Sequence, residues 1–189
     1  MLKMDNGDKF LHMNIPNLLT LIRIILTPLF VIFMIQGKYL GALLAFTCAG
    51  LTDALDGLIA RWLKQRTKIG AVLDPIADKA LLSTSYVITA ITHMIPPWLA
   101  VIVISRDIII LLGVLILFLF KGGVEIRPSI LGKLTTLVQL GTIFLVLVES
   151  QIDYVGGLVP IALVLCALAT VASGLQYMIK GVLLLNSSE

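Results

Sequence analysis

The sequence predicts an all-α integral membrane protein: six transmembrane helices with a polar cavity facing the cytoplasm. Three observations predict it. The 189-residue chain is 59% hydrophobic and only 13% charged, about half the charged share of a soluble domain, and its mean hydropathy is +1.06. Its apolar residues gather into runs near the roughly 20 residues that a spanning helix needs. Its basic residues fall between those runs in an asymmetric pattern. The length fits one membrane domain over 1–189, opening with a polar segment at 1–13.

The six runs are Asn17–Ile35, Tyr39–Ala60, Gly70–Thr92, Pro97–Phe120, Ile130–Val148 and Val155–Leu184. All read as helices, because lipid offers backbone N–H and C=O groups no partner outside their own segment. The segment 1–13 has mixed charge and lacks the apolar core and cleavage site of a signal peptide, so the first run reads as a retained helix. Asn17 is expected to cap it and Pro28 to kink it. The connections carry the breakers Gln36-Gly37-Lys38, the basic stretch Arg61–Lys68, Pro96-Pro97, Lys121-Gly122-Gly123 and Asp153 with Gly156-Gly157. Pro160 is expected near a helix start or kink. Gly41, Gly50, Gly113 and Gly141 read as close-packing positions. Cys48 and Cys166 read as small apolar packing residues. Trp62, Trp98 and His93 read as interfacial residues.

Charge sets the orientation. With the N-terminus inside, Lys3, Lys9, Arg61, Lys64, Arg66, Lys68, Lys121, Arg127, Lys133 and Lys180 lie on the cytoplasmic side and Lys38 alone lies outside. That asymmetry follows the positive-inside rule and makes both termini cytoplasmic. The net charge of +3 calls for no nucleic-acid partner, since anionic lipid already attracts basic loops. The other three basic residues, Arg23, Lys79 and Arg106, fall within helices.

Charged groups at membrane depth cost several kcal/mol and mark function or pairing. Here they include Asp53, Asp56, Asp74, Asp78 and Asp107, most of them near the cytoplasmic helix ends. Asp53, Asp56 and Ala60 share one face of the second helix, and Asp74 and Asp78 share one face of the third. Gly57, beside Asp56, leaves room for close approach. Antiparallel packing of these two helices would bring four carboxylates together. Four such anions in low dielectric need cations. Hard divalent ions with oxygen ligands, Mg²⁺ or Mn²⁺, fit best, and the number of carboxylates suits two ions. A structural reading stands beside this one, in which the carboxylates form an ion-pair network with Arg23, Lys79 and Arg61. An ion or proton transporter would also use such charges, but would need a charged path to both faces, whereas the outer halves of these helices are apolar.

The order Asp53-x2-Asp56-Gly57-x2-Ala60-Arg61-x8-Gly70-x3-Asp74-x3-Asp78 resembles the signature of the CDP-alcohol phosphotransferases at every fixed position. Asn14-Ile15-Pro16-Asn17 through Arg23, Ser105-Arg106-Asp107 and Gly132-Lys133-x2-Thr136-x2-Gln139 resemble the branch that makes phosphatidylglycerol phosphate and cardiolipin. The similarity runs from about Asn14 to Tyr177. It implies CDP-diacylglycerol as donor, with Asp53, Asp56, Asp74 and Asp78 as metal ligands and Asp78 also as base. It implies that Gly57, Ala60 and Gly70 make room for the nucleotide, that Arg61 pairs with donor phosphate or supports the metal ligands, and that the chain is a homodimer.

The acceptor is legible only in part. Arg23, Arg106, Arg127 and Lys133 are the candidates for binding an acceptor phosphate. Arg106 and Asp107 point about 100° apart on a helix, which leaves Arg106 open either to phosphate or to structural pairing, and Lys133 reads equally as a phosphate ligand or a snorkelling lysine. Phosphatidylglycerol phosphate synthases in this branch usually carry a second arginine further along helix four, which this chain lacks. That loss counts against glycerol 3-phosphate, and Ser105-Arg106-Asp107 resembles the cardiolipin synthases, whose acceptor is phosphatidylglycerol. Phosphatidylglycerol phosphate synthesis is the commoner activity for chains of this kind, so glycerol 3-phosphate is the expected acceptor by a narrow margin, with phosphatidylglycerol as the alternative.

Overall fold

A computed structural model describes residues 15–63, 70–121, 129–152 and 157–186. Within those ranges the side chains of 15–17, 54, 56–63, 70–75, 117, 118, 120, 121 and 184–186 lie outside the described set. Six α-helices make up the described chain: α1 Ile15–Ile35, α2 Tyr39–Leu63, α3 Gly70–Ile91, α4 Pro97–Lys121, α5 Ile130–Glu149 and α6 Val159–Asn186. The prediction of six helices holds, with two changes at helix starts. The backbone is helical from Ile15, so Asn17 lies inside α1 instead of capping it; Pro16 sits in the first turn, where a missing N–H costs nothing. Helix α6 begins at Val159 with Gly157 and Leu158 in a turn, and Pro160 occupies its first turn.

Four of the helices contain stretches long and apolar enough to cross a membrane: Leu18–Ile35, Pro97–Ile116, Ile130–Glu149 and Val159–Leu183. The apolar part of α2, Tyr39–Asp53, is shorter. The chain is thus an all-helical, multi-pass membrane protein. Many of its large apolar side chains are exposed, among them Ile25, Ile32, Leu44, Leu111 and Leu168, as expected when lipid is the solvent.

The fold divides into two compact units, Met1–Thr84 and Ser85–Glu189, with α3 passing from one into the other. The first is built on the α1–α2 hairpin. Thr20, Arg23, Phe30 and Met34 form a buried stripe along α1 at steps of three, seven and four residues, and Ala42, Ala45, Phe46 and Ala49 form its counterpart on α2. Phe30 and Phe46 meet in a tilted contact with ring centroids 5.8 Å apart. Helix α1 stays a single helix through Pro28, and one residue earlier Thr27 Oγ1 donates back to the Arg23 carbonyl at 2.9 Å. Of the glycines read as close-packing, only Gly41 behaves so, with the Phe33 ring 3.1 Å from where a Cβ would stand. At Gly50, Gly113 and Gly141 a Cβ would meet nothing within 4 Å among the described residues.

In the second unit α6 packs against both α4 and α5. The α5–α6 seam is polar. Thr135 Oγ1 donates to the Ala169 carbonyl at 3.1 Å and Gln139 Nε2 to Thr170 Oγ1 at 3.0 Å. Small and hydroxylated residues are the usual means of joining helices in lipid, where apolar packing has no solvent to flee. Tyr86, near the end of α3, places its hydroxyl against the Gln139 carbonyl and, at 3.1 Å, the Cys166 sulfur. Cys166 is buried as expected, but Cys48 is exposed.

Helices α1 and α3 end alike. Lys38 N–H donates to the Phe33 carbonyl across Gly37, and Met94 N–H donates to the Thr89 carbonyl across His93. Both turns need a left-handed residue. Gly37 takes φ +69° freely, whereas His93 carries a side chain at φ +58°, which costs about 1 kcal/mol. His93→Gly should therefore raise the unfolding midpoint, by up to about 1 kcal/mol in stability, and His93→Val should lower it; thermal unfolding of the protein in detergent or lipid checks both.

Candidate functional site

The two stripes of the α1–α2 hairpin run in register. Stepping from Met34 to Phe30 to Arg23 along α1 is matched by stepping from Ala42 to Phe46 to Asp53 along α2. The apolar rungs therefore fix the height at which the charged rung forms. Arg23 Nη2 lies 3.1 Å from Asp53 Oδ1, and Arg23 Nη1 donates to Asp78 Oδ1 from α3. One guanidinium thus joins the first and last carboxylates of the motif, which sit on different helices.

Burial in this cluster is uneven. Arg23 is fully buried, while the side chains of Asp53 and Asp78 are 45% and 44% exposed. Nη2 faces Asp53 without hydrogen-bond alignment, and neither it nor Nε has a hydrogen-bond partner among the described residues. Of the four predicted carboxylates, Asp53 and Asp78 are the two with described side chains. The side chains of Asp56, Gly57, Ala60, Arg61, Gly70 and Asp74 lie outside the described set, as does Arg127 entirely. Among the described residues no group of three metal-ligating side chains occurs.

The donor chemistry nonetheless suits a hard divalent cation. Two half-exposed, oxygen-only ligands from separate helices already converge on a positive group, with Arg23 standing where a cation belongs. Asp56 follows Asp53 by three residues and Asp74 precedes Asp78 by four, so both fall on the matching helix faces.

A second polar cluster lies within the unit of α4, α5 and α6. Arg106 is buried; Nη1 donates to Asp107 Oδ1 at 2.8 Å and Nη2 to Ser173 Oγ at 2.8 Å. Its guanidinium carbon also stands 5.8 Å from the centre of the Tyr177 ring. Adjacent helical residues diverge, yet the long arginine side chain curls back to its neighbour. The structural pairing left open by the sequence is the one formed here. The Tyr177 hydroxyl accepts from Ser129 N–H at 3.1 Å, just where Ser129 caps α5 by accepting from Gly132 N–H. Gly132 has to be glycine or nearly so, since a Cβ there would stand 2.8 Å from the Tyr177 hydroxyl. Lys133, one residue on, is exposed. Sequence reasoning missed Ser173 and Tyr177. Their signal was periodicity: Cys166, Thr170, Ser173 and Tyr177 share one face of α6.

Residues 13–174 match the model of a family described as CDP-alcohol phosphatidyltransferase. The chain is 40% identical over 129 residues to the CDP-diacylglycerol–glycerol-3-phosphate 3-phosphatidyltransferase of Aquifex aeolicus (strain VF5), covering 66% of this chain and 70% of that protein. It is 32% identical over 184 residues to the Bacillus subtilis (strain 168) protein of the same name, covering 88% of this chain and 94% of that one. It is also 34% identical over 180 residues to the human cardiolipin synthase (CMP-forming), covering 86% of this chain and 60% of the human protein's length.

The pairing of Arg106 has a direct consequence. Asp107→Asn removes the carboxylate charge that balances a buried guanidinium and should destabilise the protein by about 3–5 kcal/mol. Ser173→Ala removes one neutral acceptor and should cost about 1–3 kcal/mol. Denaturant unfolding followed by the loss of helical signal tests the order.

Proposed function

Since the chain belongs to the CDP-alcohol phosphatidyltransferase family, we propose that it transfers the phosphatidyl group of CDP-diacylglycerol to glycerol 3-phosphate, releasing CMP and forming phosphatidylglycerol phosphate. The observation that carries this reading is the meeting of Asp53 and Asp78 at one guanidinium, which gathers the ends of the family motif into one place.

Asp53, Asp56, Asp74 and Asp78 would hold the divalent ions, Mg²⁺ or Mn²⁺, probed by this reading. Such ions, when bound, neutralise the charge of the diphosphate and of the departing CMP. The rest is done by the chain. Asp78, ion-paired with Arg23 and half exposed, takes the proton of the acceptor hydroxyl. The hydroxyl oxygen bonds to the phosphorus bearing diacylglycerol, and the bond from that phosphorus to the bridging oxygen breaks, its electron pair leaving with CMP. Gly57, Ala60 and Gly70 leave space for the nucleotide, and Arg61 pairs with the donor's phosphate. Lys133 and Arg127 hold the acceptor phosphate. Arg23 is engaged by two carboxylates and is assigned to them instead of to the acceptor. The same reading has all six helices spanning the membrane, both termini and a polar cavity on the cytoplasmic side, and a homodimer as the working form. The basic residues gathered on one side support that orientation.

A second reading, cardiolipin synthesis with phosphatidylglycerol as acceptor, is favoured by one observation. Arg106 is committed to Asp107 and Ser173, so it offers no two-pronged contact to a free phosphate ester. Purified protein in lipid with Mg²⁺ and labelled CDP-diacylglycerol, given each acceptor in a separate tube, decides between them. Phosphatidylglycerol phosphate in the first tube supports the main reading, and cardiolipin in the second supports the alternative. Folded protein that releases CMP in neither tube would count against both. Asp78→Asn should lose turnover by at least about 10²-fold while staying folded; activity near that of the unaltered protein would remove Asp78 as the base.

A further inference from the structure

Arg23 is the most buried charge in the described chain, and the chemistry proposed above gives it no contact with substrate. It has no exposed surface, while the carboxylates on either side of it are nearly half open. A cation at membrane depth is retained only where its charge is used. What this site uses is charge more than hydrogen bonding: Nη2 faces Asp53 without alignment, and Nε has no partner among the described residues. The residue type matters as well. A guanidinium does not give up its proton, so its positive charge is permanent, and its fork can engage two carboxylates at once.

We propose that Arg23 is the resident counter-cation of the carboxylate site: it holds Asp53 and Asp78 together while no metal is bound, and its fixed charge limits how tightly divalent cations bind there. This rests on the reading that these aspartates are metal ligands. Without a cation, two carboxylates brought to one point repel each other. Arg23 replaces that repulsion with two attractions, so the helices α1, α2 and α3 meet at this point before any ion arrives. The same charge then repels an incoming divalent ion. Metal binding becomes reversible, and it strengthens when an anionic diphosphate joins the site and offsets the arginine. Arg23 is therefore a positioning residue, acting on the ligands and on the affinity of what they bind.

The test uses the full chain in detergent or lipid, stripped of metal and titrated with Mn²⁺ alone. Free Mn²⁺ is followed by its paramagnetic resonance signal, and thermal unfolding is measured without metal. Arg23→Gln should unfold at lower temperature when metal-free, yet bind Mn²⁺ at least about tenfold tighter, because the repelling charge is gone. Arg23→Lys keeps the charge and loses the fork; it should be less stable without metal and bind Mn²⁺ within about threefold of the unaltered protein. A role confined to structure would lower stability in both variants and leave Mn²⁺ affinity unmoved or weakened, and that result in Arg23→Gln overturns the proposal. Should Arg23→Gln fail to fold even with Mn²⁺ present, Arg23→Met, which also removes the charge, is read in its place: Mn²⁺ bound at least about tenfold tighter than by Arg23→Lys supports the proposal, and affinity equal to or weaker than that of Arg23→Lys overturns it. Unaltered protein that binds no Mn²⁺ at all overturns the metal reading beneath it, an outcome the variants alone do not produce.

Discussion

An arginine sealed from both water and lipid has to be answered by charge, and much of the first unit can be understood as the means of answering Arg23. The answer comes from two helices, through Asp53 and Asp78. Its geometry is set by apolar packing further along the hairpin. Phe30 against Phe46, within the buried stripes that also include Met34 and Ala42, holds α1 and α2 at fixed heights. A slip of one turn, about 5.4 Å, would carry Asp53 out of reach of the guanidinium and leave the buried charge with Asp78 alone of the two carboxylates. The hydrophobic stripe and the ionic rung therefore enforce each other, and neither specifies the register as sharply alone.

The second unit solves the same problem by a different balance. Its charged pair, Arg106 with Asp107, is neutralised within one helix, and the contacts between helices are made by hydroxyls, an amide and small residues. Such bonds are individually modest in a membrane, about 0.6 kcal/mol on average, but they recur at Thr135, Gln139 and Thr142 along the α5–α6 seam. The Ser129 cap, the Tyr177 hydroxyl and the small residue at Gly132 form one interlocked group at the start of α5. A basic residue next to that group, Lys133, is held by the backbone it belongs to and left exposed.

How much of this the sequence disclosed depended on the kind of signal. Six helices were legible because apolar length and breaker residues are local properties. The same is true of Gly37, whose left-handed turn was marked by the glycine itself, while the equivalent turn at His93 carried no such mark. The convergence of Asp53 and Asp78 followed from spacing and from the motif, but their joint hold on Arg23 did not, since it depends on the register of a hairpin whose rungs are visible only in three dimensions. Arg106 shows the opposite limit. The angular separation of neighbours on a helix describes where side chains leave the backbone, and a side chain as long as arginine can undo it. Glycine was the weakest guide: Gly41 and Gly132 are close contacts, and among the described residues Gly50, Gly113 and Gly141 are not.

The position of Arg23 also bears on how the chain enters the membrane. Helix α1 is made before α2 and α3, and Arg23 falls within its apolar span, Leu18–Ile35, yet both of its carboxylates lie in the later helices. A lone arginine at the centre of an inserting helix costs about 2.5–3.5 kcal/mol at the translocon, and Arg23, a third of the way along, bears part of that. The debt is reduced when Asp53 arrives at the same depth in α2, and again when α3 brings Asp78. Insertion of the first helix as a finished, independent step is therefore disfavoured; α1 and α2 enter most cheaply as a folded hairpin, delivered together.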